Sequence, residues 1–111
     1  MEILPKMNLS SLENKLQEGK YILFFQADWC PDCRFIKPSM PEIEKEYSNY
    51  TFVKVDRDEN IDLAQQMDVL GIPSFVAYDG GKEIGRFVSK DRKTKKEVED
   101  FINSLSTDSV K

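Results

Sequence analysis

Residues 21–33 read Tyr-Ile-Leu-Phe-Phe-Gln-Ala-Asp-Trp-Cys-Pro-Asp-Cys. The first five of these residues are apolar without alternation, a pattern typical of a central strand that is buried on both faces. Cys30 and Cys33 follow at once and open a helical pattern. The apolar side chains of that pattern recur at intervals of three and four residues, at Ile36, Met40, Ile43 and Tyr47. The stretch therefore predicts a strand, a junction that carries both cysteines, and a helix.

Two prolines, Pro38 and Pro41, lie within this helical pattern. Proline lacks the N–H group that a helix interior needs, and its ring clashes with the preceding turn. A proline inside a long helix commonly bends it. We therefore expect one kinked helix here rather than two separate helices.

Further strands follow at regular intervals. Residues 51–56 are rich in β-branched and aromatic side chains, and two more strands are expected at 74–78 and 83–88, on either side of the turn sequence at 79–81, Asp-Gly-Gly. Such a turn between apolar runs is a strong hairpin signal. An edge strand is also expected near Ile3.

Helices are expected between the strands. Capping-box patterns at 10–13 and 94–97 predict the starts of the first and last helices, Gly19 is expected to end the first, and Asn60 can cap a short helix. The order of elements predicts an α/β fold with a central mixed sheet of four to five strands flanked by four helices.

Length and charge narrow the class of protein. The chain has 111 residues, which suits one domain over 1–111, with 106–111 expected to form a flexible tail. Its net charge of −4 disfavours nucleic-acid binding, and its longest apolar run of five residues is far short of a membrane span. The start shows neither the basic nor the apolar region of a secretory signal, so we expect a cytosolic protein.

The chain contains no histidine, which excludes Ser-His-Asp triads, imidazole proton shuttles and most zinc enzymes. Its two cysteines, Cys30 and Cys33, are three residues apart at a predicted helix start, where their sulfur atoms can reach disulfide distance. Free N–H groups and the helix dipole stabilise a thiolate on the first cysteine. We therefore predict that Cys30 is the nucleophile and that the more buried Cys33 resolves the mixed disulfide. A structural zinc half-site and two inert core cysteines are the alternatives.

These features resemble the thioredoxin family. The residues that carry the resemblance are an apolar strand, then Trp-Cys-Pro-Asp-Cys at 29–33, Pro38, and Gly-Ile-Pro at 71–73 before another strand. The resemblance runs from about residue 4 to residue 105 and implies the thioredoxin fold. It also implies that Pro73 is a cis-proline packed against the disulfide, that Ile72 pairs with the substrate backbone, and that Trp29 forms the rim of the groove.

The residues between the cysteines depart from the usual Gly-Pro of the family. Pro31 has no N–H group, so one donor to the Cys30 thiolate is missing. Asp32 either adds a negative charge near Cys30, which favours the thiol, or serves as a helix-favouring carboxylate in the first turn. We expect Pro31 and Asp32 to belong to the substrate-binding surface and the Cys30–Cys33 couple to be reducing rather than oxidising.

A second departure lies in the strand. Phe24 occupies the position beneath the cysteines where thioredoxins usually carry a buried aspartate, and Lys54 matches the lysine that accompanies it. We expect Lys54 to extend outward or to pair with Asp56 or Asp58. Water or Asp28 would then exchange the proton of Cys33.

A third departure lies near the C-terminal helix. Ser89 and Lys90 stand where thioredoxins present glycine and alanine to their clients, which suggests a shifted client range. The basic segment 90–96 is expected to be a solvated loop and helix start rather than a site for an acidic partner.

Together these features predict a monomeric thiol–disulfide oxidoreductase. It would reduce protein or small-molecule disulfides through a redox-active Cys30–Cys33 disulfide, without a bound cofactor or metal. The resemblance implies electrons from a flavin-dependent thioredoxin reductase or from a small thiol, and no nucleic-acid or membrane partner is expected. The alternatives are a thioredoxin-fold binding module and an iron–sulfur carrier with little disulfide reductase activity.

Overall fold

Five strands form one mixed sheet in the computed structural model, which describes residues 1–106. In chain order they are β1 (Glu2–Ile3), β2 (Lys20–Gln26), β3 (Thr51–Asp56), β4 (Ser74–Asp79) and β5 (Lys82–Phe87). The spatial order is β1-β3-β2-β4-β5, with β1, β3 and β2 parallel and with β4 antiparallel to both β2 and β5. The apolar run of residues 21–25 therefore lies in the central strand, as the sequence predicts.

The helices connect these strands. They are α1 (Leu9–Lys15), α2 (Pro31–Ile36), α3 (Met40–Glu46), α4 (Ile61–Gln66) and α5 (Lys95–Ser106). The α/β fold class is confirmed. Of the tail expected at 106–111, Ser106 is the last residue of α5, and residues 107–111 lie outside the described part of the chain. No helix within residues 1–106 is long and apolar enough to cross a bilayer.

The predicted single kinked helix is divided. A short 3-10 turn, Lys37–Ser39, separates α2 from α3, although the backbone stays in the right-handed helical region across both junctions. The two prolines explain the division. Pro38 lies inside the 3-10 turn, whereas Pro41 lies in the first turn of α3, where no N–H donor is required.

Two of the predicted helix caps are wrong. The amide oxygen of Asn8 caps α1 by accepting the N–H of Ser11 at 2.8 Å, so the helix starts before the predicted box and ends at Lys15, ahead of Gly19. Asn60 precedes α4, but its side chain makes no cap and accepts the N–H of Met7 at 3.0 Å instead. The Asn8 cap is local, whereas the partner of Asn60 is brought to it by the fold across 53 residues.

Other local signals hold. Thr94 and Glu97 form the predicted capping box, with reciprocal hydrogen bonds of 3.1 and 2.9 Å at the start of α5. Gly80 and Gly81 have φ values of 61° and 83°, which the hairpin between β4 and β5 requires.

The core lies on both faces of the sheet. Alternate residues of β2 point to opposite sides, so Leu23 and Phe25 join one buried cluster and Ile22 and Phe24 join the other. The first cluster holds the apolar faces of α1 and α4, and the second holds those of α2, α3 and α5. Because both faces of β2 are covered, the end of this strand is a rigid platform for the residues that follow.

Candidate active site

The two cysteines lie at the junction between β2 and α2. Cys30 is the N-cap residue of α2 with an extended backbone, and Pro31 follows in the first turn. The Sγ atom of Cys30 accepts a hydrogen bond from the N–H of Cys33 at 3.2 Å. This bond occupies one of the N–H groups that a helix start leaves without a backbone partner, and it stabilises negative charge on the Cys30 sulfur.

Burial separates the two thiols. Cys30 is 5% exposed and Cys33 is fully buried, and both are free. Cys30 is thus buried as well, but it is the more accessible of the pair, as predicted. Burial, followed by the hydrogen bond with Cys30, raises the pKa of Cys33 from 9.0 to about 12. Cys33 is therefore a protonated thiol at neutral pH.

The Gly-Ile-Pro segment borders the cysteines. The Ile72–Pro73 peptide bond is cis, and the carbonyl oxygen of Ile72 lies 4.0 Å from Sγ of Cys30. The neighbouring Gly71 lies directly against the next loop, since a Cβ atom there would come within 2.4 Å of the backbone nitrogen of Lys90. Only glycine allows this close approach of the two backbones.

Trp29 lies at the rim with fixed contacts. Its side chain is 57% exposed, and its indole Nε1 donates to Oδ2 of Asp58 at 2.6 Å. The guanidinium of Arg57 lies 5.6 Å from the ring centroid and donates to Oδ1 of Asp58 at 3.3 Å. The tryptophan is thus held in place by a carboxylate from the loop after β3, a partner that the sequence did not reveal.

Asp32 has a partner from a distant loop. Its Oδ1 accepts a hydrogen bond from Nε of Arg92 at 3.0 Å, and Arg92 also lies over the ring of Phe35, 4.4 Å from its centroid. Asp32 lies in the first turn of α2, and the guanidinium of Arg92 compensates its negative charge. The missed signal is Arg92, which stands 60 residues further along the chain.

The loop that carries Arg92 is anchored from within. Lys93 is 1% exposed, and its Nζ donates to the carbonyl and hydroxyl oxygens of Ser89 and to the carbonyl oxygen of Asp91, at 2.9–3.2 Å. Burial lowers its pKa from the usual 10.5. The prediction of a fully solvated basic segment is thus wrong for this lysine, because its ammonium group has enough backbone acceptors to be buried.

A cleft of about 300 Å³ lies over the cysteines. Nine residues from four segments line it: Trp29, Cys30, Pro31, Asp32, Arg57, Leu70, Gly71, Ile72 and Lys90. The cleft brings together the predicted substrate-binding residues except Pro73, which is buried behind Ile72. Arg57 and Leu70 are lining residues that sequence reasoning missed.

The predicted supporting residues Phe24, Asp28 and Pro38 do not line the cleft. Phe24 packs in the second core cluster and stacks on Phe75 with ring centroids 5.0 Å apart, whereas the cysteines belong to the first cluster. Asp28 is exposed and pairs with Lys37 at 3.2 Å. Pro38 is exposed in the 3-10 turn.

Lys54 makes neither of its predicted ion pairs. It is half-buried opposite Phe24 in the sheet and lines a second cavity with that ring. The carboxylate of Asp56 accepts the N–H groups of Asp58 and Glu59, and that of Asp58 binds the Trp29 indole described above. Asp56 therefore accepts hydrogen bonds within a turn and Asp58 accepts one from Trp29, and neither pairs with Lys54.

Comparisons with known proteins agree with this arrangement. The model of the thioredoxin family matches residues 4–104. Thioredoxin H2-2 of Oryza sativa subsp. japonica is 37% identical over 87 residues, which are 78% of this chain and 65% of that protein, so the chain spans just under two thirds of that relative. A Thioredoxin H-type of Brassica oleracea is 34% identical over 88% of this chain and 81% of its own length.

A solved structure gives the same result. The X-ray structure of Fasciola hepatica thioredoxin is 30% identical, covers 95% of this chain and 99% of its own, and superposes with a TM-score of 0.78. Among residues 1–106, no group of three or more Cys, Asp or Glu side chains is placed to hold a metal ion.

Proposed function

Because the chain belongs to the thioredoxin family, whose members are protein-disulfide oxidoreductases, we propose that it reduces disulfides through Cys30 and Cys33. The observation that carries this proposal is the asymmetry of the two thiols. The Cys30 sulfur faces the cleft and accepts a helix N–H, while Cys33 is fully buried and protonated beside it. One sulfur is thus prepared to attack a client, and the other is protected until a mixed disulfide forms.

The reaction proceeds in two exchanges. The Cys30 thiolate attacks one sulfur of the client disulfide R–S–S–R′, forms a bond to it, and expels R′–S⁻ with the electron pair of the broken bond. Cys33 then loses its proton and attacks Sγ of Cys30, which expels R–S⁻. The client has gained two electrons, and the chain is left with a Cys30–Cys33 disulfide.

The groove positions the client. Trp29, which directly precedes Cys30, and Ile72, which is distant in sequence, both line the cleft. The carbonyl oxygen of Ile72 lies 4.0 Å from the sulfur of Cys30. An extended client segment can therefore pair with the backbone at Ile72 while its disulfide meets Cys30. Pro31 and Asp32 complete the contact surface in this proposal.

Proton exchange at Cys33 sets the second step. Phe24 belongs to the other core cluster, and its phenyl ring has no acidic or basic group. It therefore cannot accept the proton of Cys33. Asp28 pairs with Lys37 at 3.2 Å, and the Lys37 ammonium lowers the pKa of Cys33 against the larger effect of burial. Water at the cleft or the Asp28 carboxylate would then accept the proton.

The remaining properties follow from the same proposal. The Cys30–Cys33 disulfide is regenerated to a dithiol by an external reductant, which in this family is a flavin-dependent thioredoxin reductase, and no bound cofactor is needed. A reducing compartment such as the cytosol keeps such a couple in its dithiol form. We propose that the chain acts there as a monomer, and neither the binding-module nor the iron–sulfur alternative is favoured by its relatives.

Insulin reduction tests the proposal. With dithiothreitol as electron donor, the wild-type chain should accelerate precipitation of the insulin B chain, and Cys30→Ser should abolish the acceleration. Lys96→Gln is a matched surface control, because Lys96 pairs with Asp100 on α5 and does not line the cleft. Equal rates with and without the wild-type chain would overturn the proposal.

A further inference from the structure

The charges around the cleft do not cancel. Three charged residues line it, namely Asp32, Arg57 and Lys90. Arg92 compensates the carboxylate of Asp32 at 3.0 Å, and Asp58 compensates the guanidinium of Arg57 at 3.3 Å.

Lys90 is the charge that remains. Within residues 1–106 it takes part in none of the ion pairs, and its side chain is exposed. The cleft over Cys30 therefore presents one uncompensated positive charge to a client.

The backbone that carries this lysine is fixed beside the reacting sulfur. The backbone nitrogen of Lys90 lies against Gly71, next to Ile72. The Ser74 hydroxyl donates to the carbonyl oxygen of Gly71 at 2.6 Å and lies within hydrogen-bond distance of that of Ser89, at 3.3 Å, so it bridges the two loops. The buried ammonium of Lys93, described above, holds the same loop from inside. Lys90 thus projects from a rigid wall of the cleft rather than from a free loop.

We infer that the cleft selects disulfides that carry an acidic group beside the reacting sulfur, and that Lys90 is the residue that determines this specificity. The inference rests on the proposed function and adds the chemical class of its substrate. A carboxylate next to the client cysteine would meet the Lys90 ammonium, whereas a client lysine there would be repelled.

The net charge of the whole chain is opposite in sign to the charge of Lys90. At a net charge of −4 the protein repels acidic molecules at long range. A preference for acidic clients must therefore arise locally, at the cleft, and must depend on individual side chains. This is why one substitution is expected to remove it.

Matched peptide disulfides test the inference. Three peptides differ only in the residue beside a single cysteine, which is Glu, Gln or Lys, and each cysteine carries a neutral thiopyridine leaving group. The prereduced chain attacks the peptide sulfur and releases pyridine-2-thione, whose absorbance gives the rate of a single turnover. We expect the Glu peptide to react about tenfold faster than the Lys peptide at low ionic strength, as two opposed charge interactions at a partly exposed site imply.

Two variants and salt identify the source of the preference. Lys90→Gln should reduce the Glu-to-Lys rate ratio to about twofold or less, and Lys96→Gln, the matched control, should leave it unchanged. Raising the ionic strength from about 0.01 M to about 1 M should reduce the ratio in the wild type, because the Debye length falls from about 30 to about 3 Å.

Three results would overturn the inference: equal rates for the Glu and Lys peptides, a preference that survives Lys90→Gln, or a ratio that salt does not change. The Gln peptide separates this failure from that of the proposed function. If the Gln peptide is reduced but no preference appears, the specificity is wrong and the reductase activity stands. If no peptide is reduced, both are wrong.

Discussion

The strongest quantitative consequence of the structure concerns the thiol of Cys33 when it is alone. Cys30→Ser leaves Cys33 as the single cysteine and keeps a hydroxyl group in place of the Cys30 sulfur. In the wild type, burial and then the hydrogen bond with Cys30 raise the pKa of Cys33 from 9.0 to about 12. Cys30→Ser removes the contribution of the Cys30 sulfur but leaves burial, the largest cause, so the pKa of Cys33 in the folded variant should stay above 9.0. Since the thiolate is the reactive form, alkylation of Cys33 at pH 7 should be about tenfold or more slower in the folded variant than in the same variant unfolded, because each unit by which burial raises the pKa lowers the thiolate fraction about tenfold.

The assay is alkylation by iodoacetamide, followed by intact mass, on folded and denaturant-unfolded Cys30→Ser between about pH 7 and about pH 11. In the folded variant the rate should continue to rise above the pH at which the rate of the unfolded variant levels off. The unfolded variant should reach half of its maximal rate near pH 9, the ordinary pKa of the thiol, and level off above it. If the alkylation rate of the folded variant levels off at the same pH as that of the unfolded variant, the argument that burial keeps Cys33 protonated is refuted.

The same shift makes stability depend on pH. The pKa of Cys33 in the folded protein is above its ordinary value of 9.0, so the folded state holds this proton more tightly than the unfolded state. Its stabilising contribution is complete below about pH 9 and is lost as the pH rises through about 12. The free energy of unfolding of the reduced wild type, measured in urea, should therefore fall in that window relative to Cys33→Ser.

Three further substitutions test other parts of the structure. Phe24→Asp should lower the free energy of unfolding by about 3 kcal/mol or more, because it removes a stacked ring and buries a carboxyl group; urea midpoints compared with Phe24→Leu measure this, and an equal loss in both variants would contradict the carboxyl cost. Gly71→Ala should cost about 1–3 kcal/mol and slow insulin reduction, because its methyl group would collide with the backbone of Lys90; unchanged stability and rate would show that the loops can separate freely. A double-mutant cycle of Asp32→Asn and Arg92→Gln should give a coupling of about 0.2–1 kcal/mol, the range for a solvent-screened pair, and strict additivity would mean that the two side chains do not interact in solution.

Much of the fold can be predicted from short stretches of the sequence. The apolar run of β2, the Gly80–Gly81 turn and the Thr94 capping box each act within a few residues, so their signals can be read without the tertiary structure. The placement of Cys30 at a helix start belongs to the same class. Local propensity and hydrophobic pattern were sufficient for these elements.

The parts that escaped prediction depend on distant partners. Asn60 looks like a cap, but the fold brings the Met7 N–H to it across 53 residues. The sequence gives no sign that Asp32 pairs with Arg92, which lies 60 residues further along the chain. Nor does it show that three oxygen atoms of the surrounding loop accept hydrogen bonds from the ammonium group of Lys93. A single sequence shows which groups are charged or polar but not which of them meet.

The central claim is that Cys30 attacks and Cys33 resolves, and trapping of mixed disulfides tests it most directly. Reduced Cys33→Ser and reduced Cys30→Ser are each mixed with a peptide disulfide, quenched with acid and examined by intact mass. Cys33→Ser should accumulate a covalent adduct with the peptide that dithiothreitol removes, because the second exchange cannot occur, and Cys30→Ser should form none, because its remaining thiol is buried and protonated. An adduct on Cys30→Ser that forms as fast as that on Cys33→Ser would contradict the account.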